Sequence, residues 1–158
     1  MTHVAIETII MAPLLIVQIF LLPMVATTMT SYWTDNSRQV AVQDAANQLA
    51  GVIQQVYISL NKKEVLSGTI RWTSTLPKEV VTYPYTANGT LHTSFGSNSS
   101  KILTLQVKLQ EVGNTATAQV TFGSNVIWDQ ESKFYSDSSN AAIEVQKFAN
   151  NTLSFSFK

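Results

Sequence analysis

The chain contains no cysteine. That excludes a disulfide framework, thiolate zinc sites and the thioether attachment of haem. Charge is scarce: 13% of the residues are Asp, Glu, Lys or Arg, about half the usual ~25%. Ten basic and ten acidic residues cancel, so the chain offers no basic stripe and nucleic acid is not expected as a partner. His3 and His92 are its two histidines, too few for a metal cluster. No glycine precedes Gly51, and no Lys or Arg precedes Arg38. A secretory leader opens on a basic region, and a membrane anchor has basic cytoplasmic flanks. Either the apolar segment inserts without a basic leader, or a leader has been removed and this is the mature chain. The missing cations point to removal, and the initial Met points the other way.

What stands in place of charge is a long apolar run. From Thr8 to Thr34 there is no Lys, Arg, Asp or Glu. The core of the run, from Ile9 to Ala26, is apolar except for Gln18, apart from Pro13 and Pro23. About 20 such residues cross a bilayer as a helix. The helical signal then continues. From Ser37 to Leu60 the positions Val42, Ala45, Ala46, Leu49, Ile53, Val56 and Leu60 follow the spacing of one helix face. A helix from Met1 to about Leu60 is therefore expected, ~85 Å long if unbroken; the alternative is a membrane helix followed by a separate surface helix. Pro13 and Pro23 are expected kinks. A polar patch at Thr27-Thr28, Thr30-Ser31 and Asp35-Asn36-Ser37 is an expected weak point. Lys62 and Lys63 stand where cations suit a helix C-terminus.

After Leu66 the period changes to two. Gly68–Thr73, Lys101–Leu109, Thr115–Phe122, Asn125–Trp128, Ala142–Phe148 and Leu153–Phe157 read as strands. Gly113-Asn114 and Asn150-Asn151 read as turns. The expected fold is α+β: a long N-terminal helix, then an antiparallel β-sandwich-like domain of roughly seven strands. The expected division is 1–62 for the helix, with an apolar segment 8–34 and an amphipathic extension 35–62, and 63–158 for the β-rich domain.

No catalytic, cofactor-binding or metal-binding constellation emerges, and the chain is not expected to be an enzyme. Asp129, Glu131 and Asp137 lack calcium-loop spacing and read as solvated loop carboxylates. Trp72, Tyr83, Tyr85, Trp128, Phe134 and Tyr135 read as sheet core or cross-strand pairs rather than a ligand box. Three N-x-[ST] sequons occur, at Asn88, Asn98 and Asn150, each in an expected turn where an N-linked glycan is feasible. Glu7 is the only carboxylate before Asp35 and sits at the edge of the apolar run. It either meets an α-ammonium, which would neutralise it, or rests among headgroups.

Taken in order, an apolar N-terminal helix, a continuous amphipathic extension and a β-rich domain with Ser/Thr/Asn-rich turns resemble a type IV pilin of the archaeal kind. The segment Ala5-Ile6-Glu7-Thr8-Ile9-Ile10-Met11-Ala12-Pro13-Leu14-Leu15 also resembles the start of TadE-like pseudopilins. The resemblance implies a structural subunit of an extracellular pilus, used for adhesion, held in the membrane before assembly. A Glu at the fifth mature position is a bacterial feature of the family; Glu7 would be that acid in a chain cut to begin at His3. Packing physics agrees. Apolar helices with no partner in their own chain can pack against copies through Leu15, Ile19 and Leu22, and a head-to-tail contact that does not close makes a helical homopolymer. Such an obligate assembly should bury more than ~2,000 Å² per contact set. The alternatives are an archaellin of a motility filament, and a membrane-anchored minor pilin or binding module.

Overall fold

The computed structural model describes the backbone of residues 2–73, 77–94 and 99–158, and the side chains of those residues from Met11 onward, Ala12 excepted. It shows an α+β fold, with one long helix and two sheets. Helix α1 spans Thr2–Leu60 and passes through Pro13 and Pro23 without interruption. The expected weak point is helical too. There Thr27, Thr28, Thr30 and Thr34 donate their hydroxyls to carbonyls three or four residues earlier, at 2.8–3.0 Å. Such back-bonding satisfies a hydroxyl without water.

The chain divides into two compact units, Met1–Ser37 and Arg38–Lys158. The first is helix alone. The second joins the C-terminal part of α1 to nine strands: β1 (Gly68–Thr73), β2 (Glu79–Val80), β3 (Tyr83–Thr93), β4 (Lys101–Leu109), β5 (Thr115–Phe122), β6 (Val126–Trp128), β7 (Lys133–Tyr135), β8 (Ala142–Lys147) and β9 (Leu153–Phe157). One sheet has the order β1-β8-β9-β6; the other runs β2-β3-β4-β5, with β7 also paired to β3. All pairs are antiparallel except β6–β9, which is parallel.

Alternation decides what is inside. Leu103, Leu105, Val107 and Leu109 of β4 and Ala116, Ala118, Val120 and Phe122 of β5 are buried, while the residues between them are not. The helix stripe Val42, Ala45, Ala46, Leu49, Ile53, Val56 and Leu60 is buried in full and joins the same cluster. Each Leu or Ile so placed contributes about 1.5–3 kcal/mol. Aromatic rings link the parts: Tyr57 of α1 meets Phe122 at 4.9 Å, and Phe122 stacks on Phe155 of the other sheet at 5.4 Å. Burial pushes the Tyr85 hydroxyl up to about 12. Its stabilising neutral state is therefore fully present below pH ~10 and lost as pH rises towards 12.

Three expectations need correcting. The strands number nine among the described residues rather than roughly seven: the six runs read as strands all form, while β3, whose Asn88-Gly89 has the composition of a turn, and β2 and β7, too short to leave a pattern, are not among them. Asn88 is not in a turn; it lies inside β3, paired with Gln106 on one side and Lys133 on the other. The glycine after it serves packing: a Cβ at Gly89 would lie 2.5 Å from the Trp128 ring. Lys62 and Lys63 lie beyond the last turn of α1. Its C-terminus is capped instead by Lys147, 3% exposed, whose Nζ donates to the carbonyls of Leu60 at 2.8 Å and Lys62 at 2.9 Å. Of the aromatics, Trp72 and Tyr135 are 38% and 47% exposed and sit in cross-strand pairs rather than the core, Trp72 opposite Ile143 and Tyr135 opposite Thr86.

Gly89→Ala is expected to cost about 2–3 kcal/mol by overpacking against Trp128, read as a lower denaturation midpoint of the full chain in detergent. The two-residue β2–β3 turn has φ of 50° at Val81 and 69° at Thr82, where β-branched residues are strained. Replacing Val81-Thr82 with Asn-Gly is expected to add about 1–2 kcal/mol in the same measurement.

Candidate functional site

The feature that sets this chain apart is the surface of its N-terminal unit. Leu14, Leu15, Ile16 and Val17 are consecutive, so at ~100° per residue they point around the whole helix. All are more than half exposed, as are Ile19, Phe20, Leu22 and Met24. Leu15, Ile19 and Leu22, expected to carry assembly, are 56%, 64% and 69% exposed. No stripe is buried here, in contrast to the stripe from Val42 to Leu60. A helix apolar all round belongs in lipid or in a protein core. This one is long and apolar enough to cross a membrane.

Glu7 and His3 have side chains outside the described residues, and Asn98 lies outside them altogether. Asn88 is exposed but embedded in a three-stranded stretch of sheet. Asn150 is exposed in the turn between β8 and β9, where its Oδ1 accepts the Thr152 N–H at 3.1 Å. Asp129, Glu131, Asp137 and His92 are exposed. Among the described residues no three His, Cys, Asp or Glu side chains group as metal ligands. The buried Ser136 hydroxyl is occupied by the backbone, donating to the Lys78 carbonyl at 2.6 Å and accepting the Tyr85 N–H at 2.8 Å. A cleft of about 190 Å³ on the outer face of β3, β4 and β7 is lined by Asn88, Gln106, Lys108, Lys133 and Tyr135.

The sequence did not point to a set of helix side chains that engage a sheet edge. Gln39 and Gln43 donate to the Thr115 and Thr117 carbonyls of β5 at 2.8 and 2.9 Å. Tyr57 Oη accepts the Gly123 N–H at 3.0 Å. The four-residue spacing of Gln39 and Gln43 was the available signal. Comparison with protein-family profiles, curated proteins and solved structures finds no match to this chain.

Proposed function

We propose that this chain is a structural subunit of an extracellular type IV-like pilus, of the archaeal kind, which polymerises through its N-terminal helix and displays the β-domain for adhesion. One observation carries the proposal: an uncharged helix surface, apolar on every side and more than half exposed from Leu14 to Val25. Before assembly the bilayer covers this surface; afterwards copies of the same helix do. Threonine hydroxyls turned onto their own helix suit both surroundings. The layout and the Ala5–Leu15 segment give the pilus reading its kind. A membrane-anchored monomer is the second reading, favoured by the length of the same segment.

Negative-stain microscopy of material sheared from cells decides between them: thin filaments containing the chain support the subunit, and extraction solely as a monomer supports the anchor. Within the first reading, Leu15→Asp or Ile19→Asp is expected to abolish filaments, since an isolated charge in an apolar core costs several kcal/mol and every copy repeats it. The β signal in circular dichroism should stay unchanged. Normal filaments from either variant would overturn the helical core.

A charge-poor filament surface would gain hydration from glycans. Of the described sequons we propose Asn150 as the acceptor, because its turn presents the amide away from any strand pair, whereas Asn88 is paired on both sides. Intact mass should show an added glycan that Asn150→Gln removes and Asn88→Gln does not. A mass equal to the bare polypeptide would remove the claim.

A further inference from the structure

Strand β5 is the end strand of its sheet, so one of its edges has no strand partner. The helix covers part of that edge. Gln39 and Gln43 reach the Thr115 and Thr117 carbonyls, and these bonds show that odd-numbered residues of β5 turn their backbone groups away from β4. Two strand residues advance ~6.8 Å and four helix residues ~6 Å, so positions 47 and 51 are next in the row, opposite Gln119 and Thr121. There the sequence has Asn47, a methylene shorter, and Gly51, with no side chain. Cover resumes at Gly123, bonded to Tyr57. Among the described residues, the outward N–H and C=O groups of Gln119 and Thr121 have no hydrogen-bond partner. Beside them lies an open cleft of about 500 Å³ lined by Asn47, Ala50, Gly51 and Gln54, with no charged side chain.

Gly51 makes the opening informative. Glycine is the poorest helix former after proline, and among the described residues no atom outside its chain neighbours and the adjoining helix backbone lies within 4 Å of where its Cβ would be. Nothing within the chain requires the missing side chain. A backbone approaching from another molecule would.

The chain itself carries a matching edge. β1 is exposed along all six residues and, among the described residues, pairs with β8 alone. Ala142 exchanges backbone hydrogen bonds with Lys158, so residues 143, 145 and 147 turn towards β1 and pair with 72, 70 and 68. Thr69, Arg71 and Thr73 therefore present their backbone groups outward. Ile70 and Trp72 remain 41% and 38% exposed, so β1 also holds apolar surface its own domain leaves half covered. The Arg71 guanidinium donates to the Asn140 carbonyl of its own chain at 3.1 Å, which ties down the one charge on β1.

We infer that the outer edge of β1 in one copy docks on the open stretch of β5, beside Gly51, in the next copy, pairing backbone to backbone by strand addition. The two edges are different surfaces, so the contact is head to tail and can propagate, whereas β1 against β1 would close a dimer. This rests on the filament reading, which brings copies of the domain side by side; it adds the contact that fixes their register. A strand-edge contact this short is too small to hold an assembly alone.

Gly51→Gln tests it. Glutamine would extend the row of Gln39 and Gln43 and close the edge from within. The full-length variant in detergent is expected to melt at a higher temperature than wild type. Its filament yield is expected to fall about tenfold or more. As a second measurement, pairs of cysteines are placed one on β1 (Thr69→Cys or Arg71→Cys) and one on β5 (Gln119→Cys or Thr121→Cys), in a chain with no other thiol. At least one pair should give multimer ladders on oxidation of filaments, and the single variants should give none beyond dimers. Filaments of wild-type yield from Gly51→Gln, or filaments from which no pair yields a ladder, would overturn the β1–β5 contact and leave the pilus subunit standing. A wild-type chain that forms no filament would overturn the subunit reading and this contact with it.

Discussion

The burial of one helix face is the interaction on which the domain depends. Val42, Ala45, Ala46, Leu49, Ile53, Val56 and Leu60 enter a single cluster with the inner residues of both sheets. Each sheet is apolar on that side only, since its strands alternate. Without the helix, the inner faces would meet water at a cost of roughly 25 cal/mol per Å². The stripe lies on the same helix as the apolar N-terminal segment.

The two parts of α1 solve opposite problems. Beyond Arg38 the helix is amphipathic, and polar residues on its other faces can stay in water. From Leu14 to Val25 it is apolar on nearly every side, and in the polar patch that follows the threonine hydroxyls bond to carbonyls of the preceding turn. Burying a surface apolar on every side takes lipid or other apolar helices, and the proposed pilus reading requires passage from the first to the second. Because both are apolar, the exchange is close to neutral in hydrophobic terms, and packing between copies must supply the direction.

Much of this fold was legible in the sequence because it rests on local periodicity. The helix stripe was readable residue by residue, and so were the alternating runs of β4, β5, β8 and β9. What could not be read depends on residues distant in the chain. Asn88-Gly89 has the composition of a turn, and becomes strand because Trp128 fills the space beside Gly89. Lys147 looks like a surface lysine in an alternating strand until the end of α1 is placed against it. Trp72 alternates correctly within β1, yet stays half exposed, because edge position is a property of sheet order and not of the strand. The exposed Leu15, Ile19 and Leu22 were readable for a different reason: a charge-free run has few ways to be solvated.

Backbone polar groups at element ends impose the last constraint. A helix leaves carbonyls unmet at its C-terminus, and a sheet leaves a row of groups unmet at each edge. This chain answers both with single side chains borrowed from elsewhere. Lys147 of β8 caps α1, and in return α1 covers parts of β5 with Gln39, Gln43 and Tyr57. These bonds tie helix to sheets by polar as well as apolar contact, and they fix the helix along its axis where a smooth hydrophobic stripe alone would permit sliding. The chain thus shows a consistent means of closing an edge, one glutamine per outward carbonyl. Where that row stops, at Asn47 and Gly51, the interruption is a property of the sequence and not of the geometry, because the helix continues alongside and the rise of four residues still nearly matches two residues of strand. A glutamine there would have been the locally favourable choice for both helix propensity and edge protection. On the inferred contact, its absence leaves the edge open to β1 of the next copy.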